Sequence, residues 1–73
     1  MLYEFDIFVS GIDLDTDLDR IYEAGCDDAV VGQRNGETYL AFSRYAETRG
    51  EATKSAFNDI AKFGGVILRI DNY

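Results

Sequence analysis

From residue 2 to residue 10 the chain alternates. Tyr3, Phe5, Ile7 and Val9 fall on one side, and Leu2, Glu4, Asp6, Phe8 and Ser10 fall on the other. A period of two in β-forming residues predicts a strand, with Gly11 marking its end. From Leu14 the period lengthens. Leu14, Leu18, Ile21, Tyr22 and Gly25 gather on one side of a helical wheel, opposite Asp17, Asp19, Arg20 and Glu23. This predicts a helix of about nine residues, held mainly by its apolar face. Asp15 or Thr16 suits the cap, because a short side-chain oxygen there accepts from an unpaired backbone N–H. With Thr16 as cap, Asp19 takes the position at which a capping box carries Glu or Gln. Gly25 suits the left-handed residue that ends a helix.

Residues 28–34 then lead into Asn35-Gly36, and residues 37–44 lead out. Asn-Gly tolerates the positive φ angles of a type I′ turn, whose twist matches two paired strands, so this segment is a predicted hairpin. Thr48 followed three positions later by Glu51 has the form of a capping box and opens a second helix. Thr53, Ala56, Phe57, Ile60 and Ala61 are its expected apolar stripe, Ser55, Asn58 and Lys62 its outer side, and Gly64-Gly65 its stop. Residues 66–72 form a last strand, with Val66, Leu68 and Ile70 expected on one face.

The order β-α-β-β-α-β, with two crossovers and one hairpin, predicts an α+β domain spanning residues 1–73. Its four-stranded antiparallel sheet carries both helices on one face, a ferredoxin-like arrangement. Right-handed crossovers put the first and third strands in the middle. A chain of 73 residues buries about 60% of its unfolded surface. Its expected total stability is roughly 4–11 kcal/mol. An apolar share of 47%, with five Phe and five Tyr, is enough for a core. The sequence has no run of about 18 apolar residues, so no membrane span is expected. Met1–Ser10 carries acids where a secretion signal carries bases, and a single cysteine, Cys26, fits a reducing compartment. The expected location is the cytoplasm.

Charge changes the picture more than composition does. The net charge is −7, yet residues 1–28 hold nine acids against one base and residues 29–73 five acids against six bases. The excess therefore belongs to the first two elements and predicts a one-sided negative field. Acidic surfaces also serve solubility alone, and that reading stays open.

Asp13, Asp15, Asp17 and Asp19 stand two apart and suggest calcium. A calcium loop of the EF-hand type needs Gly at its sixth position and Glu at its twelfth. Counting from Asp13 these are Leu18 and Ala24, and counting from Asp15 they are Arg20 and Cys26, so neither register fits. Without histidine and with one cysteine, a four-ligand zinc site is not expected, and the Ser-His and Cys-His nucleophile pairs are excluded. Gly64-Gly65 follows a helix and does not open one, so no phosphate loop is present. Asp27-Asp28 could in principle serve as an acid–base pair, but nothing completes it. Small ferredoxin-like phosphatases carry an arginine after the first strand, where this chain has Ser10-Gly11-Ile12-Asp13. No catalysis and no cofactor are expected. Beside Asp27 and Asp28 the Cys26 thiol is expected as a buried filler and not a reactive group.

The sheet face away from the helices is expected to present Phe8, Tyr39 and Ile67. RNA-recognition modules stack bases on such a face, but Glu4 and Asp6 share it and oppose phosphate. Direct nucleic-acid binding is therefore not expected. The three residues suit a dimer or partner contact, or else are ordinary aromatics shielded by long side chains such as Arg69.

Glu23-Ala24-Gly25-Cys26-Asp27-Asp28-Ala29 and the later Phe42-Ser43-Arg44 resemble a loose group of small bacterial proteins. They share an E-A-G-C-D-D-A segment and a strand ending F-S-R. In that group the segment often precedes a DNA-binding helix-turn-helix, for which these 73 residues have no counterpart. The resemblance implies a dimerising or ligand-sensing domain related to the N-terminal part of a transcriptional regulator or antitoxin. In type, a small and strongly acidic domain also resembles phage and mobile-element inhibitors, including anti-CRISPR proteins. Carboxylates two apart in an extended segment are about 6.6–6.8 Å apart, sparser than one phosphate per about 3.4 Å of strand. The leading expectation is thus an acidic competitor: a non-enzymatic monomer or homodimer. It would use Asp13, Asp15, Asp17, Asp19, Glu23, Asp27 and Asp28 against a basic surface of a nucleic-acid-binding complex.

Overall fold

A computed structural model describes residues 1–72. In chain order they form β1 (Leu2–Ser10), α1 (Leu14–Ile21), β2 (Ala29–Arg34), β3 (Glu37–Tyr45), α2 (Arg49–Lys62) and β4 (Val66–Asn72). A wider π-type turn, Tyr22–Cys26, continues α1. The strands form one sheet in the order β2-β3-β1-β4, every neighbouring pair antiparallel. This is the ferredoxin-like α+β arrangement, with β1 and β3 central as right-handed crossovers require.

The alternation of β1 decides where the core lies. Phe5, Ile7 and Val9 join Leu40 and Phe42 of β3 under Ile21, Ala52, Ala56, Ile60 and Phe63 from the helical layer. Phe5 and Phe42 stack with ring centroids 5.4 Å apart. The β2–β3 turn has φ 53° at Asn35 and 80° at Gly36, the positive pair that a type I′ turn needs. Thr48 caps α2, its side chain accepting from the Glu51 N–H at 3.1 Å.

Three expectations shift. Asp13 caps α1, not Asp15 or Thr16: its Oδ1 accepts from the Asp15 N–H at 2.9 Å. The Asp13 N–H in turn donates to Asp17 Oδ2 at 3.0 Å. This exchange between Asp13 and Asp17 starts the helix at Leu14 and leaves Asp19 without a capping role. In α2 the buried line is Ala52, Ala56 and Ile60, one position from the expected Thr53, while Ala61 is exposed. In β4 the register against β1 slips between Phe8 and Val9, so that Phe8 faces Arg69 but Val9 faces Ile67. An extra residue in one strand breaks the period of two. Val66, Leu68 and Ile70 therefore do not form one continuous face.

Candidate functional site

The four aspartates of α1 do different jobs. Asp13 and Asp17 are consumed by the cap, and Asp17 also takes Arg20, 3.3 Å away. Asp15 and Asp19 are exposed, as is Glu23. At about 100° per residue, Asp15, Asp19 and Glu23 form a row on the opposite side of the Leu14–Ile21 core line from Asp17 and Arg20. Among the described residues Asp15, Asp19, Glu23 and the exposed Asp27 have no ion-pair partner.

Asp28 is not part of a free acidic face. Arg44 reaches it with Nε at 2.8 Å and Nη2 at 2.9 Å. The same guanidinium donates to the Gly25 carbonyl at 2.8 Å and to Ser55 Oγ at 3.0 Å, and pairs with Asp59 Oδ2 at 3.0 Å. The hydrogen bond to Asp28 raises the Arg44 pKa against the opposing effect of burial, so the group stays charged. Cys26 is buried beside this cluster. Burial, with Asp59 adding and Arg44 opposing, pushes its thiol up to about 11. A neutral, enclosed thiol is a packing group. Gly25 has φ 109°, and a Cβ there would stand 2.9 Å from Asp59 Oδ2. The G-C-D-D segment and the F-S-R strand end thus meet in one ion cluster. Arg44 follows Leu40 and Phe42 at even spacing, which directs it toward the helices. That parity was the signal in the sequence for an inward arginine needing a carboxylate.

The sheet face away from the helices is less open than expected. Phe8 is 2% exposed. The Arg69 guanidinium lies 3.9 Å from its ring centroid, and Tyr39 stands beside it at 5.8 Å. Glu37 holds Arg69 with two hydrogen bonds of 2.6 and 2.9 Å, and these lower the Glu37 pKa and raise that of Arg69. Tyr39 is half-buried. Arg34 stacks over it at 5.2 Å, and its ring lies so close to Gly32 that a Cβ there would meet the phenol oxygen at 2.6 Å. Ile67, expected beside these two, sits opposite Val9 instead. Long side chains therefore lie over both aromatic rings.

Leu18 and Tyr22, expected in the core, are 39% and 40% exposed, and Ile21 is the buried residue of α1. Leu14 and Ile21 already align toward the sheet. Leu18 and Tyr22 are rotated about 40° and 80° from Leu14, toward the Asp15–Asp19–Glu23 row. A shallow groove of about 430 Å³, lined by Ile12, Asp13, Leu14, Asp15 and Gln33, runs from the start of α1 to β2. Among the described residues no three His, Cys, Asp or Glu side chains gather as a metal site would need, and no helix is long and apolar enough to cross a membrane.

Chemically, then, α1 offers fixed negative charge next to apolar surface. Neither a family model, a curated protein nor a solved structure matches the chain.

Proposed function

We propose that the chain is a small non-enzymatic protein-binding module, an inhibitor of the anti-CRISPR type that engages a basic, nucleic-acid-handling surface of a partner complex. The observation that carries this reading is the surplus of carboxylate on α1 and the turn after it. Once Asp13 and Asp17 serve the cap and Asp28 serves Arg44, Asp15, Asp19, Glu23 and Asp27 stay exposed without an ion-pair partner among the described residues. Fixed like charges of this kind speed encounter with an opposite field and give binding a steep salt dependence.

A phage-interference assay tests the proposal. Expressing the chain in cells with an active CRISPR system restores plaques of a targeted phage. The folded variant Asp15→Asn/Asp19→Asn/Glu23→Gln does not. Failure across a panel of CRISPR types would remove the inhibitor reading. Equal affinity of native and neutralised chains for a captured partner would remove the acidic surface.

The alternative is a dimerising or ligand-sensing module of the regulator kind, working through the sheet face. In its favour stand the exposed Val30 and Tyr45. Against it, Arg69 covers Phe8 and Arg34 covers Tyr39. Sheet-face substitutions separate the two: Val30→Ser or Tyr45→Ser should abolish self-association or ligand binding under the alternative and leave binding to a basic partner unchanged under the acidic-surface reading.

A further inference from the structure

We infer that Leu18 and Tyr22 are the apolar centre of the α1 surface, and that its occupant is a cationic amphipathic helix of a partner protein, with apolar residues one turn apart flanked by lysines or arginines. The inference rests on the acidic-surface reading above and adds to it which residues anchor the contact and what shape of partner they accept.

Two adjacent rows on α1 and the first residues of the turn that continues it carry the argument. Leu18 and Tyr22 are four residues apart, hence about 6 Å along the axis and neighbours on the helix surface. Both keep about two-fifths of their surface in water, whereas Leu14 and Ile21, about 40–100° round the same helix, pack on the core. The second row, Asp15, Asp19 and Glu23, follows each member of the Leu14–Leu18–Tyr22 row by one position. The base of this helix, Arg20, lies on the far side, paired with Asp17. The strip is therefore apolar in the middle and negative along its border, the layout of an interface with a desolvated anchor and a polar rim. Tyrosine is among the residues that most often supply such anchors.

Charge selects the occupant. Phosphate backbones and anionic lipid surfaces are repelled by the border row. A second copy seated on the same strip would set three carboxylates against three. A row of side chains spaced by four residues is a ridge that fits the groove between equivalent ridges of another helix. A helix bearing apolar residues at the same spacing, with cations beside them, satisfies both the strip and its border.

The test uses the intact chain and two synthetic helical peptides of identical lysine and leucine composition. One places leucines four apart on one face, and the other is scrambled. Backbone amide NMR of the native chain should show saturable shifts centred on Leu18 and Tyr22 with the amphipathic peptide, at an affinity about ten-fold or more above that for the scrambled one. Leu18→Ser and Tyr22→Ser should each remove most of that preference while leaving the salt dependence intact. Equal affinity for the two peptides, or shifts centred away from these residues in the native chain, overturns the anchor while leaving the acidic surface standing. Binding of neither peptide at low salt overturns the acidic surface as well. Because the shifts are read on the native chain, the outcome does not depend on either variant folding.

Discussion

Arg44 on the helix-facing side of β3 clasps Asp28, just ahead of β2, through two near-parallel hydrogen bonds of 2.8 and 2.9 Å. The arginine side chain is 11% exposed and its planar fork matches a carboxylate. Removing Arg44 takes the cation from Asp28, whose side chain is about a third exposed, and leaves the more buried Asp59 with Lys62 alone. Arg44→Ala should therefore lower unfolding free energy by about 3 kcal/mol in urea denaturation. A double-mutant cycle with Asp28→Asn should give a coupling of at least about 1 kcal/mol. Additive losses would show that the clasp contributes nothing beyond each residue's own packing.

Gly25 needs both its freedom and its emptiness. Its φ of 109° is unfavourable for any side chain, and a Cβ would collide with the Asp59 carboxylate that faces Arg44. Gly25→Ala should cost about 2–3 kcal/mol, part from backbone strain and part from a displaced Asp59. Gly36→Ala has positive φ but open space around it, and so should cost less. Thermal melts of the two variants rank them.

The Cys26 thiol gives stability an alkaline edge. Folding raises its pKa from an ordinary 9.0 to about 11, so the unfolded chain gives up its proton first. The contribution is complete below pH about 9 and is lost as pH rises through about 11. It amounts to about 3 kcal/mol at most. Urea midpoints should fall across this window in the native chain and less in Cys26→Ala. At pH 8 iodoacetamide should modify the unfolded chain much faster than the folded one. Equal rates would mean the thiol is accessible.

Asp13 and Asp19 are alike in sequence and unlike in role. Asp13→Ala removes the α1 cap and should cost about 1 kcal/mol. Asp19→Asn, at an exposed position without capping work, should stay within about 0.5 kcal/mol. Chemical denaturation of both variants checks the division. A cap loss no larger than the Asp19 change would contradict it.

Arg69→Ala uncovers Phe8. The variant should bind a hydrophobic dye that the native chain does not, and unfold at a lower urea concentration, because the ring face is vacated and the Glu37 pair is broken. In the native chain the Glu37 contribution is present above its ordinary 4.5 and fades as pH falls through its lowered pKa. An unchanged dye signal would mean that something other than Arg69 shields the ring.

The order of elements was legible in the residues themselves, because each rests on a local rule. The two-residue period of β1, the Asn35-Gly36 turn and the Thr48 cap involve atoms within a few positions of one another. Their sum specified the ferredoxin-like topology, since few chiral arrangements satisfy two crossovers and a hairpin. The charge asymmetry was equally plain. The condition of the candidate surfaces was not. Asp28 looked free until β3 brought Arg44 against it. Phe8 looked open until β4 laid Arg69 across its ring. Leu18 and Tyr22 looked buried until the sheet met the Leu14–Ile21 line of α1 instead. Local periodicity fixes which way a side chain points relative to its own backbone. What it meets there is decided by partners far along the chain, and only their packing sets which charges stay free and which apolar groups stay in water.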